Sequence, residues 1–169
     1  MTKNRRWPAP TDAEGMRFFS AVNDYKRLAR EYSDQRIADV GCGRKKFPGS
    51  VGIDLRGNSY ADVQHDLLTF PYPFEDNTFD LLVCRHCIEH LPDTFAVINE
   101  FYRLVKPGGR IVLEYPHFSW HEAYRHPQHC HWFSSGSFDY FHPDNEHYTA
   151  KLKMRKKMGY FGNTVMKIL

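Results

Sequence analysis

Residues Ile37 to Gly43, Ile-Ala-Asp-Val-Gly-Cys-Gly, constrain this chain more than any other stretch. An apolar run of strand length ends in two glycines one residue apart, with Asp39 two positions before the first. Glycine at a strand end lets the backbone approach a ligand closely, as in sites that grip nucleotide-type molecules. A dinucleotide fingerprint would need a third glycine at position 46, where the chain has Lys46. Hydride transfer from a nicotinamide is therefore disfavoured.

The surrounding pattern alternates strands and helices. Thr11 with Glu14 reads as a capping box, and Met16, Phe19, Val22, Leu28, Ala29 and Tyr32 recur at helical spacing, predicting a helix over 12–33. Strands are expected at 50–55, 61–66, 79–84 and 110–115. A helix over 94–105 carries Val97, Ile98, Phe101, Leu104 and Val105 on one face, and Lys106-Pro107-Gly108-Gly109 ends it. This order predicts an α/β fold: a Rossmann-like, doubly wound, mainly parallel sheet whose ligands sit beyond the carboxyl ends of the strands.

The link between the first two strands is short. Residues 44–49 separate Gly43 from the second predicted strand, where a parallel crossover normally takes a dozen residues or more. Ten residue steps from Gly41 to Val51 span ~34 Å extended but only ~15 Å as helix, against a return path of ~17 Å plus a sidestep. The first crossover helix should be missing, replaced by an extended or single-turn connection.

The 169 residues are expected to form one domain over 11–169, preceded by a flexible basic arm, 1–10, with Pro8 and Pro10. A net charge of +3 does not by itself argue for nucleic acid or membrane. No stretch reaches the ~20 apolar residues of a membrane span, so a cytoplasmic protein with reduced cysteines and a small-molecule partner is expected. The basic run Lys151-Leu-Lys-Met-Arg-Lys-Lys reads as an exposed strand face that discourages edge pairing, and nucleic acid is not expected there. Oligomeric state is not legible.

With that order in hand, residues 36–117 resemble the class I S-adenosylmethionine-dependent methyltransferases, nearest the small bacterial-type branch with a methyltransferase-11-like core. The pieces are Asp-Val-Gly-Cys-Gly, Val-Gly-Ile-Asp-Leu, Gln-His-Asp-Leu, Phe-Asp-Leu-Leu-Val-Cys and Leu-Val-Lys-Pro-Gly-Gly-Arg-Ile-Val-Leu-Glu. The resemblance implies S-adenosylmethionine as cofactor, with Asp39, Gly41, Cys42 and Gly43 around its methionine end. It also implies that Asp54, followed by Leu55, takes the ribose hydroxyls, that Asp66 and Leu67 meet the adenine, and that Cys84 lines the methionine side. A turn-forming role for Asp54 and Asp66 is the alternative. This fold closes with an antiparallel pair, of which the chain shows one expected strand, 151–160. Residues 165–169 are a short partner across Gly162-Asn163, or part of the pair is lacking.

Residues 115–148 hold ten aromatic rings and seven histidines. The segment 116–148 is expected to be a lid insertion over the acceptor, walled by Tyr115, Phe118, Trp120, Tyr124, Trp132, Phe133 and Phe138, with a satellite core as the alternative. Pro116-His117-Phe118-Ser119 leaves the strand that ends at the active face. His117, then His121, are therefore the expected bases, and a purely structural hydrogen bond is the alternative for both. The expected function is methyl transfer to O or N of a small or sugar-like acceptor. Its alternative is a non-catalytic, degenerate member acting as a partner subunit.

His86-Cys-Ile-Glu89-His90 matches an inverted zincin pattern, but it leaves a buried strand and meets Pro92 rather than lying on a long helix. Ubiquinone-pathway O-methyltransferases resemble this stretch and hold a divalent ion there with acids and a histidine. For His86, Glu89 and His90 a supporting or helix-start role is expected instead. His126-Pro-Gln-His129-Cys-His131 lacks the paired spacing of structural zinc, and no metal is assigned.

Overall fold

The structure is a computed structural model that describes residues 21–55, 57, 59–134, 136–142, 152–157 and 161–168. The arm 1–10, the capping box Thr11 and Glu14, and lid residues 143–148 lie outside them. Helix α1 (Ala21–Glu31) precedes the strands β1 (Ile37–Val40), β2 (Val51–Asp54), β3 (Val63–Gln64) and β4 (Phe79–Arg85). Helix α2 (Thr94–Leu104), β5 (Val105–Pro116), the single-turn α3 (Glu122–Arg125), β6 (Leu152–Lys157) and β7 (Phe161–Ile168) follow. The strands form one sheet in the order β3-β2-β1-β4-β5-β7-β6. The first five are parallel, and β7 pairs antiparallel with both β5 and β6.

Alternation along the strands divides the core. Ala38, Leu82, Cys84, Ile111 and Leu113 face a large cluster with Tyr72, Phe79 and the α2 residues Val97, Ile98, Phe101 and Leu104. Ile37, Leu81, Val83 and Val112 face the other way, onto Leu28, Tyr32 and Phe47. Both sides are apolar because a parallel sheet must be covered on both faces. Asp93 caps α2, its carboxylate accepting the Ala96 N–H at 2.9 Å, an interaction typically worth about 1 kcal/mol. Gly109 is required in the first part of β5, because a Cβ there would stand 2.5 Å from Val105 Cγ1 and 2.9 Å from the Asp80 carbonyl oxygen.

The connection 44–50 contains no helix, as its length dictates. Register pairs Ala38 with Val51 and Val40 with Ile53, so the chain returns directly to the neighbouring strand. In place of a helix, the connection drives Phe47 into the core with no exposed surface. There its ring meets Tyr25 of α1 edge-on at 6.0 Å. Helix α1 thereby covers the face that a crossover helix would have covered. Gly52 makes room, since a Cβ on it would press within 2.7 Å of Lys46 Cδ and 2.9 Å of Cys42 Sγ.

The closing antiparallel pair, for which a short partner at 165–169 and a partly lacking pair were both open, is present. Strand β7 runs beside β5 from Arg110↔Lys167 to Pro116↔Phe161 and beside β6 from Leu152↔Ile168 to Lys157↔Asn163. Gly162 and Asn163 do not form the turn but sit inside β7, opposite Tyr115 and Glu114. Because β7 lies between two strands and follows β5 over seven paired positions, it must begin earlier than a short edge partner would.

Replacing Phe47 by Ala should therefore cost about 3–5 kcal/mol of unfolding free energy, the range for deleting a buried phenyl ring. Urea denaturation of the variant measures it, and a loss under 1 kcal/mol would show that the connection does not support α1.

Candidate functional site

The carboxyl ends of β1 and β2 are joined by backbone. The Gly41 N–H donates to the Ile53 carbonyl at 2.8 Å, and the Gly43 N–H donates to Asp54 Oδ2 at 2.9 Å. Both glycines have positive φ, 70° and 51°, where side chains are strained. They differ in surroundings. A Cβ on Gly41 would lie 2.3 Å from Cys87 Sγ, whereas one on Gly43 would meet nothing within 4 Å. The turn is thus closed beneath Gly41 and open above Gly43, the cradle an elongated ligand needs. Asp54 is buried beside it, and a carboxylate has enough lone pairs to serve Gly43 and a pair of hydroxyls.

Asp39 has another task. Its Oδ2 accepts from the Phe47 N–H at 2.6 Å and from Arg85 Nη2 at 2.9 Å, and Arg85 also donates to the Lys45 carbonyl at 2.5 Å. This carboxylate ties the helix-free connection to β4. Burial pushes its pKa up, and Arg85 and the Phe47 N–H offset part of that shift. Oδ1 is buried with no hydrogen-bond partner among the described residues.

The remaining residues expected at the cofactor are dispersed along the same edge. Leu55 is exposed, and Leu67 is buried after β3. Asp66 Oδ1 accepts the Leu68 N–H at 3.0 Å in a local turn. Cys84 lies fully buried within the α2-side core.

At the ends of β4 and β5 a cavity of about 230 Å³ opens, lined by His86, Glu89, His90, Pro116, Trp120, Glu122, His126 and His129. His86 leaves β4 with φ of 48°. Its Nε2–H donates to Glu114 at 3.1 Å, and its Nδ1 stands 3.6 Å from Glu89. Glu114, on β5, also accepts the Tyr25 hydroxyl of α1. Burial alone would lower the His86 pKa, but the hydrogen bond to Glu114 and the negative charges of Glu114 and Glu89 outweigh it and lift it to about 9. Burial lowers the pKa of His90, with His129 and His126 adding to the effect against Glu89.

Neither expected base lines this cavity. His117 Nδ1 shares a 2.7 Å hydrogen bond with Ser119 Oγ, and His121 is exposed and paired with Glu122 at 2.9 Å. Of the expected lid aromatics, Trp120 lines the cavity, while Tyr115, Phe133 and Phe138 join the main core. Phe118, Tyr124 and Trp132 are exposed. Sequence reasoning did not bring His126 and His129 to this place. The Cys130 N–H donates to the Glu89 carbonyl at 2.9 Å and His131 Nε2 bonds the Pro92 carbonyl at 3.0 Å, contacts that no local pattern announces.

A sheet in this order, with a glycine turn on β1 and an acid ending β2, defines the class I S-adenosylmethionine-dependent methyltransferase fold. Residues 38–113 match the family model described as methyltransferase domain. The chain is 45% identical to phosphoethanolamine N-methyltransferase 2 of Caenorhabditis elegans over 127 residues, covering 59% of this chain and 29% of that protein. It is 28% identical to a ubiquinone biosynthesis O-methyltransferase of Pseudomonas entomophila over 123 residues, covering 56% and 53% respectively. It thus spans from under a third to about half of these relatives' own length. A methyltransferase structure from Archaeoglobus fulgidus shares the fold at a TM-score of 0.64 and 16% identity, covering 88% of this chain and 94% of that one. Among the described residues, no helix is long and apolar enough to cross a membrane.

The His86 imidazole should titrate near pH 9 by NMR. Because the folded value lies above the unfolded one of ~6.5, its stabilisation is complete below that pH and is lost as pH rises through about 9. In Glu114→Gln the midpoint should fall toward the ordinary value. An unchanged midpoint would show that Glu114 does not hold the charge.

Proposed function

We propose that this chain transfers a methyl group from S-adenosylmethionine to an oxygen or nitrogen of a small acceptor. The observation that carries this reading is the Gly43 to Asp54 bond, which holds an open glycine turn and a buried carboxylate together one strand from a histidine-lined cavity. Asp54 orients the ribose hydroxyls, and Gly41 to Gly43 bring backbone against the methionine end. When bound, S-adenosylmethionine supplies an electrophilic methyl on a sulfonium. The names of the two relatives, an N-methyltransferase of phosphoethanolamine and an O-methyltransferase of ubiquinone biosynthesis, support small acceptors of either kind.

Methyl transfer is an in-line displacement, so holding the acceptor contributes up to ~7–11 kcal/mol, against ~3–5 kcal/mol for a general base. Trp120 and Pro116 supply the wall for that positioning. Where the acceptor carries a proton, it leaves toward the imidazoles inside the cavity, ahead of His117 and His121, which lie outside its lining.

Thermal unfolding with S-adenosylhomocysteine tests the cofactor half. Ligand at 100 times its dissociation constant adds about 2.7 kcal/mol to the intact chain. Asp54→Ala should lose that gain. Equal stabilisation of both proteins would remove Asp54 from the site, and none in either would remove the cofactor. For the acceptor half, His117→Ala and His121→Ala should each keep turnover within a few-fold, and a hundredfold loss in either would return the base to that residue.

A further inference from the structure

Three imidazoles meet in the cavity from two distant segments. His90 ends the 3₁₀ turn Ile88–His90, and His126 and His129 follow α3. Their ring centroids form a near-equilateral triangle with sides of 5.1, 4.7 and 5.1 Å. One nitrogen from each lies within 4.8 Å of the other two. A zinc-class ion with bonds of about 2.0–2.1 Å would bring tetrahedral ligands to roughly 3.4 Å. The triangle therefore has to close by little more than an ångström, and His126 is exposed and can supply that movement.

Packing alone does not explain the cluster, because of Glu89. Its side chain is 2% exposed and lines the same cavity, yet among the described residues neither carboxylate oxygen has a hydrogen bond. The neighbours it has are imidazoles, His86 Nδ1 at 3.6 Å and His129 Nε2 at 4.0 Å. A buried carboxylate without hydrogen bonds is costly, and the His86 imidazole beside it at 3.6 Å is shared with Glu114, so it offsets only part of that cost. His86 is drawn toward Glu114 on its other nitrogen. The remaining side of Glu89 faces the triangle.

The ring orientation is also suited to ligation. His129 donates Nδ1–H to the Ala123 carbonyl at 2.9 Å, which leaves the lone pair on Nε2, the nitrogen nearest Glu89. Metal-bound histidines are fixed by such a bond from the other ring nitrogen. His126 Nδ1 accepts the Gln128 N–H at 3.2 Å, a long bond on an exposed side chain that an ion there would replace.

We propose that His90, His126 and His129, with Glu89 as the adjoining carboxylate, form a site for one divalent transition-metal ion of the zinc class. Two of its three imidazoles come from the insertion after β5, outside the His86-Cys-Ile-Glu89-His90 stretch. His86 is no ligand in this set. Three protein nitrogens leave a coordination position open toward the cavity, where an acceptor hydroxyl, carboxylate or phosphate oxygen can enter. That consequence, though not the ion site itself, rests on the function proposed above.

The test is calorimetric titration of the chelator-treated full chain with zinc chloride, and separately with cobalt chloride followed by visible absorption. One ion per chain should bind, with cobalt bands of low-coordinate nitrogen ligation. His126→Ala, whose side chain is exposed and whose loss leaves the fold intact, should weaken binding at least tenfold. Glu89→Gln should weaken it about 10–100-fold, the range for groups that support metal ligands. His65→Ala, outside the cavity and bonded to the Thr69 carbonyl in its own turn, should bind as the parent does. No saturable binding, or affinity unchanged in His126→Ala, would overturn the site and leave scattered surface histidines only. Thermal stabilisation by S-adenosylhomocysteine, measured on the same metal-free samples, separates this from the function itself. Its loss with zinc binding intact sinks the methyltransferase reading alone, and the reverse sinks the metal site alone.

Discussion

Everything near the site depends on how the chain crosses from β1 to β2 in too few residues for a helix. The connection must lie flat on the sheet, and something else must cover the face it leaves bare. Asp39 fixes the connection by accepting the Phe47 N–H, Phe47 fills the space, and α1 closes over it through Tyr25, Leu28 and Tyr32. Close backbone contact at Gly41 to Gly43, rather than a helix N-terminus, is then what the turn offers a ligand.

This arrangement distributes charge along the strand ends. Arg85 serves Asp39 and the Lys45 carbonyl, stacks over the rings of Tyr25 and Phe47, and so belongs to the frame. One residue later His86 serves Glu114 and faces Glu89, and so belongs to the cavity. Tyr25 bonds Glu114 and links the two, so α1 both covers the sheet and orients an acid that sets the charge of a cavity histidine. Such coupling makes the first helix part of the chemistry as well as of the packing.

Much of this was legible in the sequence, for identifiable reasons. The strand-turn-strand order and the missing crossover helix are local, set by residue type and by the distance a short chain can reach, whereas Asp54 was tied to the glycine turn only through the family resemblance. Asp39 was expected at the cofactor, but its bond to Phe47 depends on the return path of the connection, which no motif encodes. The antiparallel pair was underestimated because glycine and asparagine at 162 and 163 mimic a turn, whereas β7 is central and bonded on both sides. The histidine cluster joins residues nearly forty positions apart through the Cys130 backbone N–H and the His131 imidazole, and spacing rules read only neighbours. The aromatic abundance of 115–148 announced an unusual segment without revealing that Phe133, Phe138 and Phe141 anchor it in the main core.

The most direct test of the central claim is a crystal structure of the chain with S-adenosylhomocysteine. Both ribose hydroxyls should lie within hydrogen-bond distance of the Asp54 carboxylate, the amino-acid end should run over Gly41 to Gly43, and the sulfur should face the cavity lined by Trp120 and His90. Ligand bound away from the ends of β1 and β2, with Asp54 still engaged by Gly43 and touching no ribose, would contradict the account.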